Sequence, residues 1–220
     1  IKLRTLDGVE RPALCTIWPG RERYFTLLDA GANPHAKPFH IAQSAVLGSN
    51  YARVALGLVR PKVGLLTIGT EEGKGNEVIH ETHEMLKDID GSIINYAGLI
   101  EGFQIFENVV DVVVCDGFVG NALLKLGEGL ASFIFNEIKT EVKTDIRSLL
   151  GAMLMKPALK RLKKKMDYEE FGAAPLLGVK GVCMIAHGSS KARAIKNAIL
   201  AAKDIVDQEL VQSIESSLQG

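Results

Sequence analysis

Residue types suited to holding an anion gather at a few glycine-rich junctions of this chain. After the apolar run Val63-Gly64-Leu65-Leu66-Thr67-Ile68 comes Gly69-Thr70-Glu71-Glu72-Gly73-Lys74-Gly75-Asn76-Glu77, and then a helical pattern. Glycines let the backbone approach a ligand closely, a following helix N-terminus offers unpaired N–H groups, and Lys74 supplies a countercharge. The segment is not a nucleotide-binding P-loop: only three residues separate Gly69 from Gly73, and Gly75 stands where a Mg²⁺-holding hydroxyl would be. The plainer alternative is a turn with a solvated lysine. A second junction, Asp116-Gly117-Phe118-Val119-Gly120-Asn121, follows Val112-Val113-Val114-Cys115. There Asn121 fits a helix N-cap, and its amide could instead donate to a ligand oxygen. The third runs from Val182-Cys183-Met184-Ile185-Ala186 into His187-Gly188-Ser189-Ser190. His187 reads as a base or a packed ring, and the serines as anion ligands or caps. Leu28-Asp29-Ala30-Gly31-Ala32-Asn33-Pro34-His35-Ala36-Lys37-Pro38 adds a fourth turn, with Asp29, Asn33 and Lys37 as polar candidates.

Such junctions matter together because, in an open parallel sheet, the C-terminal strand ends line one crevice where ligands bind. Short β-branched runs do alternate here with long helical stretches, which predicts a mostly parallel sheet with helices on its faces. Strands are expected at Ala13–Trp18, Tyr24–Asp29, Lys62–Ile68, Ile93–Ala97, Val109–Cys115 and Val182–Ala186. Helices are expected at Pro38–Leu58, Glu77–Lys87, Asn121–Thr144, Ile146–Lys165 and Ser190–Glu215. In the last, Ala194, Ile195, Ala198, Ile199, Ala202 and Ile205 fall at helical spacing and predict one buried stripe.

Absent motifs and composition narrow the chemistry. No G-x-S-x-G, H-E-x-x-H or G-x-G-x-x-G occurs. His80 and His83 stand three apart and could share a metal, but beside Glu77, Glu81 and Glu84 a solvated face is the commoner outcome. Cys115, ending an apolar strand, reads as a core thiol rather than a nucleophile. Of 220 residues 47% are hydrophobic and 24% charged, a globular balance. Lys plus Arg (26) equals Asp plus Glu (26), which argues against a nucleic-acid-wrapping face. Cys15, Cys115 and Cys183, odd in number, predict free thiols in a reducing cytoplasm. With no run of about 18 consecutive apolar residues and no leader-like start, neither a membrane span nor export is expected.

In their order, these junctions resemble the PlsX family of bacterial phosphate acyltransferases. The matching segments are Arg11-Pro12-Ala13-Leu14, Leu28 to Asn33, Val63 to Leu66, Lys74-Gly75-Asn76-Glu77, Val112 to Asn121, Phe171-Gly172-Ala173-Ala174-Pro175-Leu176-Leu177-Gly178 and His187-Gly188-Ser189-Ser190. They span Arg11 to about Ala202, so the chain is similar to the C-terminal two-thirds of a family member. The resemblance implies a three-layer α/β/α fold shared with phosphotransacetylases and isocitrate dehydrogenases, here one domain over 1–220. It also implies transfer of a fatty acyl group from an acyl carrier protein thioester to orthophosphate, giving an acyl phosphate for phospholipid synthesis. A cytoplasmic, peripherally membrane-associated homodimer with no metal, nucleotide or other cofactor follows from the same resemblance. By residue match, Lys74 and Asn121 are the catalytic pair, and Asn33, Gly73, Gly75, Asn76, Asp116, Gly117, Gly120, His187, Gly188 and Ser189 surround the phosphate. Competing expectations are a phosphotransacetylase-like enzyme using coenzyme A thioesters and a non-catalytic membrane-associated scaffold, with an isocitrate dehydrogenase-like oxidoreductase third.

One segment differs from the rest. Within 139–168, Ser148-Leu149-Leu150-Gly151-Ala152-Met153-Leu154-Met155 is almost wholly apolar, and Lys156, Lys160, Arg161, Lys163, Lys164 and Lys165 follow. Pro157 is expected to break the helix and make a hairpin with Leu149–Met155 near its tip. Two readings stand: a dimer-forming arm with a solvated basic face, or an arm docking on an anionic membrane through Leu149, Leu150, Met153 and Leu154. The basic face would also attract acidic acyl carrier protein.

Overall fold

A computed structural model describes residues 3–71, 74–167, 171–188 and 190–219. In chain order the elements are β1 (Ala13–Leu14), β2 (Thr16–Pro19), β3 (Tyr24–Leu28), α1 (Pro38–Leu56), β4 (Lys62–Thr67), α2 (Glu77–Asp88), β5 (Asn95–Glu101), a 3₁₀ turn (Gly102–Glu107), β6 (Val112–Val114), α3 (Gly117–Glu141), α4 (Ile146–Lys165), β7 (Ala174–Leu177), β8 (Met184–Ile185), α5 (Ala192–Asp207) and α6 (Leu210–Gln219).

The principal sheet has the order β2-β3-β6-β4-β5, with β3, β6, β4 and β5 parallel and β2 antiparallel at the edge. The sheet's period of two sorts its side chains. Leu28, Val63, Leu65, Val112 and Val114 join α1 in the larger core, which α2, α5 and α6 help to close. Phe25, Leu27, Leu66, Ile100 and Val113 form a smaller cluster on the opposite face, with Ile105 of the 3₁₀ turn and Leu123 of α3 against it. Helical layers therefore lie on both faces of the sheet, as expected of this α/β class.

Several boundaries move for local reasons. The Ala13–Trp18 run divides at buried Cys15, whose N–H bonds Pro175 O (3.0 Å). Its first part pairs with β7 in a second, antiparallel sheet of order β1-β7-β8, and its second part edges the main sheet. Sequence periodicity misses β7 altogether, because Pro175 and flanking glycines mask it. Helix α1 ends two residues early, where Gly57 adopts φ +66°. The last helix divides into α5 and α6 at Gln208–Glu209, Glu209 having φ +52°. The expected single buried stripe also divides: Ala194, Ala198 and Ile205 are buried, whereas Ile195 and Ile199 are exposed.

Pro157 does not break its helix; it sits inside α4. The corner lies upstream, between α3 and α4, where the Asp145 carboxylate accepts from Arg147 N (2.8 Å) and Ser148 N (2.9 Å). Leu149–Met155 thus form the first turns beyond the corner. No described residue of α4 is buried, and only Gly117 and Gly120 are buried in α3. The arm is latched at its base: Lys165 Nζ donates to Gly20 O (2.7 Å) and Arg21 O (3.0 Å), and Gly127 faces the Trp18 ring. By length and composition α3 also meets the criterion for a membrane-crossing helix, which a search for unbroken apolar runs overlooks.

Candidate functional site

Strands β3, β6 and β4 are adjacent and parallel, so their C-terminal ends emerge side by side. The described parts of the loops that leave them, 29–37, 115–116, 68–71 and 74–76, lie along one edge and lead into α1, α3 and α2. Three of the four chemical junctions are thereby brought together. The remaining one, carrying His187 and Gly188, follows β8 of the second sheet, so strand order alone does not bring it to this edge. His187 and Gly188 are exposed, and Ser189, like Gly73, lies outside the described residues. Next to them Ser190 N bonds His187 O (2.9 Å), and the buried Ser190 Oγ has no partner among the described residues.

The loop after β3 is organised by one carboxylate. Asp29, 2% exposed, accepts through Oδ1 from Leu14 N (3.1 Å), Gly31 N (3.0 Å) and Ala32 N (2.8 Å). Its Oδ2 accepts from Asn33 N (2.7 Å) and Asn33 Nδ2 (2.8 Å). The same Asn33 amide donates to Pro12 O (2.7 Å), so both its hydrogens serve the loop and only its Oδ1 has spare capacity. Asparagine at the fourth place after an aspartate marks this arrangement in the sequence, yet spacing alone did not reveal the hub.

Helix α3 starts hard against that loop. Asp116, not Asn121, is its N-cap, accepting from Val119 N (2.9 Å). Gly117 N donates to Asn33 O (2.9 Å), and a Cβ on Gly117 would stand 2.8 Å from the Asn33 backbone. A Cβ on Gly120 would fall 1.9 Å from Asp29 O. These two glycines are thus required for close helix–loop packing. Asn121, one turn into α3, is exposed and has no hydrogen-bond partner among the described residues. Its side chain lies over Gly31, where an added Cβ would meet Asn121 Cβ at 3.2 Å and Oδ1 at 3.3 Å. The amide is therefore free of the capping duty that its position suggested.

At the Lys74 junction Asn76 caps its helix, accepting from Ile79 N (2.9 Å). Gly75, at φ +97°, turns the chain beside Thr67 and Ile79. Lys74 N bonds Glu71 O (3.0 Å), while its side chain is exposed and its ammonium has no partner among the described residues. The edge thus combines helix N-termini with the Lys74 ammonium and the Asn121 amide, neither of which has a partner among the described residues, a set suited to an oxyanion.

Cys115 is buried and free; burial pushes its thiol up, and Asp116 and then Asp29 add to this, so a thiolate nucleophile is disfavoured. Cys15 is likewise buried and raised, first by burial and then by Asp29, whereas Cys183 is half-buried. His83 Nδ1 lies 2.7 Å from Tyr96 Oη, so this histidine is engaged by β5 rather than paired with His80. No group of three or more potential metal ligands occurs among the described residues.

Fold and edge together define an α/β protein of the phosphotransacetylase architecture. A phosphotransacetylase from Streptococcus pyogenes superimposes with a TM-score of 0.55 at 13% identity, over 99% of this chain and 57% of that one. The EutD phosphotransacetylase from Staphylococcus aureus gives 0.53 at 13%, over 98% and 56%. At such identities the likeness concerns the fold.

Sequence comparison is more particular. The family described as "Fatty acid synthesis protein" matches residues 1–213, and the chain belongs to it; this is the PlsX family that the motifs resemble. A phosphate acyltransferase of Brevibacillus brevis is 50% identical over 97% of this chain and 63% of its own length. One of Syntrophotalea carbinolica is 48% identical over 94% and 59%. The chain therefore spans about three-fifths of the relatives it matches.

Proposed function

We propose that the whole protein transfers a fatty acyl group from an acyl carrier protein thioester to orthophosphate, yielding an acyl phosphate for phospholipid synthesis. The observation that carries this reading is the adjacency of β3, β6 and β4, with the Lys74 and Asn121 junctions on one edge. Orthophosphate is a poor nucleophile chiefly because it is charged and well hydrated, so it must be desolvated and oriented. The N-termini of α2 and α3, with Gly75, Asn76, Asp116, Gly117 and Gly120 shaping them, would cradle it. Lys74 would hold phosphate and stabilise the tetrahedral oxyanion, and Asn121 would donate to the thioester carbonyl or to phosphate. Gly73, His187, Gly188 and Ser189 complete the proposed surround, in which Asn33 Oδ1 could serve only as acceptor for a phosphate O–H.

In the full-length enzyme, Lys74→Ala is expected to lower phosphate-dependent thioester cleavage by about 10²–10³-fold with the fold retained. A loss under tenfold would overturn the assignment. Comparing acyl carrier protein with coenzyme A thioesters tests the donor, the point on which the phosphotransacetylase-like reading differs. No phosphate-dependent cleavage by the full-length protein would favour the scaffold reading.

The enzyme is further proposed to act as a cytoplasmic homodimer docked peripherally on anionic membrane. The exposure of Leu149, Leu150, Met153 and Leu154 beside the basic stretch Lys156–Lys165 supports the docking. Each inserted Leu or Met would contribute about 1.5–3 kcal/mol, and each nearby Lys or Arg about 1 kcal/mol.

A further inference from the structure

We propose that Asp29 is a positioning residue of this site, setting the place of Asn121 through the 29–33 loop; the proposal rests on the functional reading above. Four backbone N–H groups and the Asn33 side-chain amide converge on its buried carboxylate. That carboxylate makes no hydrogen bond to Lys74 or Asn121. It acts through three contacts of the loop it shapes. Asn33 O receives Gly117 N, Asp29 O lies directly under Gly120, and Gly31 forms the floor on which Asn121 rests. Each contact fixes one residue of the first turns of α3, at positions 117, 120 and 121. The bond from Leu14 N ties the same carboxylate to β1, so the loop is referenced to the second sheet as well.

The arrangement depends on acceptor-only chemistry at position 29. In Asp29→Asn the new NH₂ must face N–H groups on one side, and either the Asn33 pair or the Leu14–Ala32 set loses its acceptor. Release of Asn33 frees Gly117, and the turn bearing Asn121 shifts. Because a misplacement of about 1 Å can cost roughly 10²-fold in rate, kcat is expected to fall by about that factor.

A double-mutant cycle in the full-length enzyme tests this, with an acyl carrier protein thioester and inorganic phosphate as substrates. If Asp29 acts through Asn121, Asp29→Asn costs about 10²-fold in the parent but less than about threefold in Asn121→Ala. Amide hydrogen exchange from Val119 to Leu123 is also expected to accelerate relative to α1. Multiplicative losses, or no loss of kcat, would overturn the proposal. If Asp29→Asn does not fold, Asn33→Ala replaces it in the cycle; it keeps the carboxylate but removes the Asn33 Nδ2 bonds to Asp29 and Pro12 that hold the loop beneath Gly117, and the same two outcomes decide. If the parent enzyme shows no phosphate-dependent cleavage, the functional reading fails by itself. The placement then stands or falls on hydrogen exchange alone: faster exchange at Val119–Leu123 in Asp29→Asn upholds it, and unchanged exchange overturns it.

Discussion

Leu65 and Leu154 are the same residue type in opposite surroundings. Leu65, at 0% exposure in the middle of β4, is closed in by α1 on one face of the sheet, whereas Leu154, at 85%, stands exposed on α4. The contrast extends to their elements. Every strand of the main sheet sits in a hydrophobic cluster and every one of its ladders is paired, while α3 and α4 carry exposed Leu126, Leu130, Phe133, Ile146, Leu150 and Met155. Apolar residues in the body hold the fold together. Those of the arm contribute little to it and are available to a partner surface, since contiguous exposed apolar patches mark interaction sites. The proposed site lies where the two meet, because α3 begins in the buried loop packing at Gly117 and Gly120 and ends in the arm.

Substitutions can break this comparison, beginning with the most severe. Gly120→Ala places a methyl 1.9 Å from Asp29 O, at the root of the arm. Neither backbone can yield cheaply, and the expected cost exceeds about 3 kcal/mol in urea denaturation, with activity lost. A wild-type denaturation midpoint would show that the α3–loop contact is looser than its geometry indicates. Leu65→Ala removes a fully buried side chain and is expected to cost about 2–5 kcal/mol. At the opposite end of the sheet the Asp111 carboxylate accepts from Arg23 Nε (2.8 Å) and Lys62 N (2.8 Å). Arg23→Ala strands one acceptor but leaves the backbone bond. Since Arg23 is partly exposed, the expected cost is about 1–3 kcal/mol. Leu150→Glu with Leu154→Glu should change stability by under about 0.5 kcal/mol each, yet abolish sedimentation with anionic vesicles. Retained sedimentation would exclude insertion at the corner and leave the dimer-forming reading of the arm. A large loss of stability would erase the distinction between body and arm.

The alternation that placed β3, β4 and β6 was legible because strands covered on both faces read as near-continuous apolar runs, Val112-Val113-Val114 above all. Lys74, Gly75, Asn121 and Gly117 were legible as candidates because glycine-rich turns between a strand and a helix pattern can be read from local sequence. Other features were hidden by competing tertiary effects. Asn121 carries a good capping side chain, but the true start of α3 is decided by Asp116 and by glycines that fit under Asp29 and Asn33. Pro157 has strong breaking propensity, yet a solvated, unpacked helix tolerates one missing hydrogen bond, and Asp145 supplies a better corner upstream. Ile195 and Ile199 share helical spacing with Ala194 and Ala198, but a helix of this width buries only one side against α1 and its neighbours.

By itself the amino-acid order determined the alternation of strands and helices, the chemical character of the strand-end turns and the family. Each of these depends on local spacing, side-chain polarity and the steric freedom of glycine. Which turns would become neighbours was decided only in three dimensions. Strand order β3-β6-β4 sets 29–33, 116–121 and 74–76 along one edge and leaves His187 on another sheet. That order is settled by long-range burial of apolar faces, for which no short stretch of sequence holds the information.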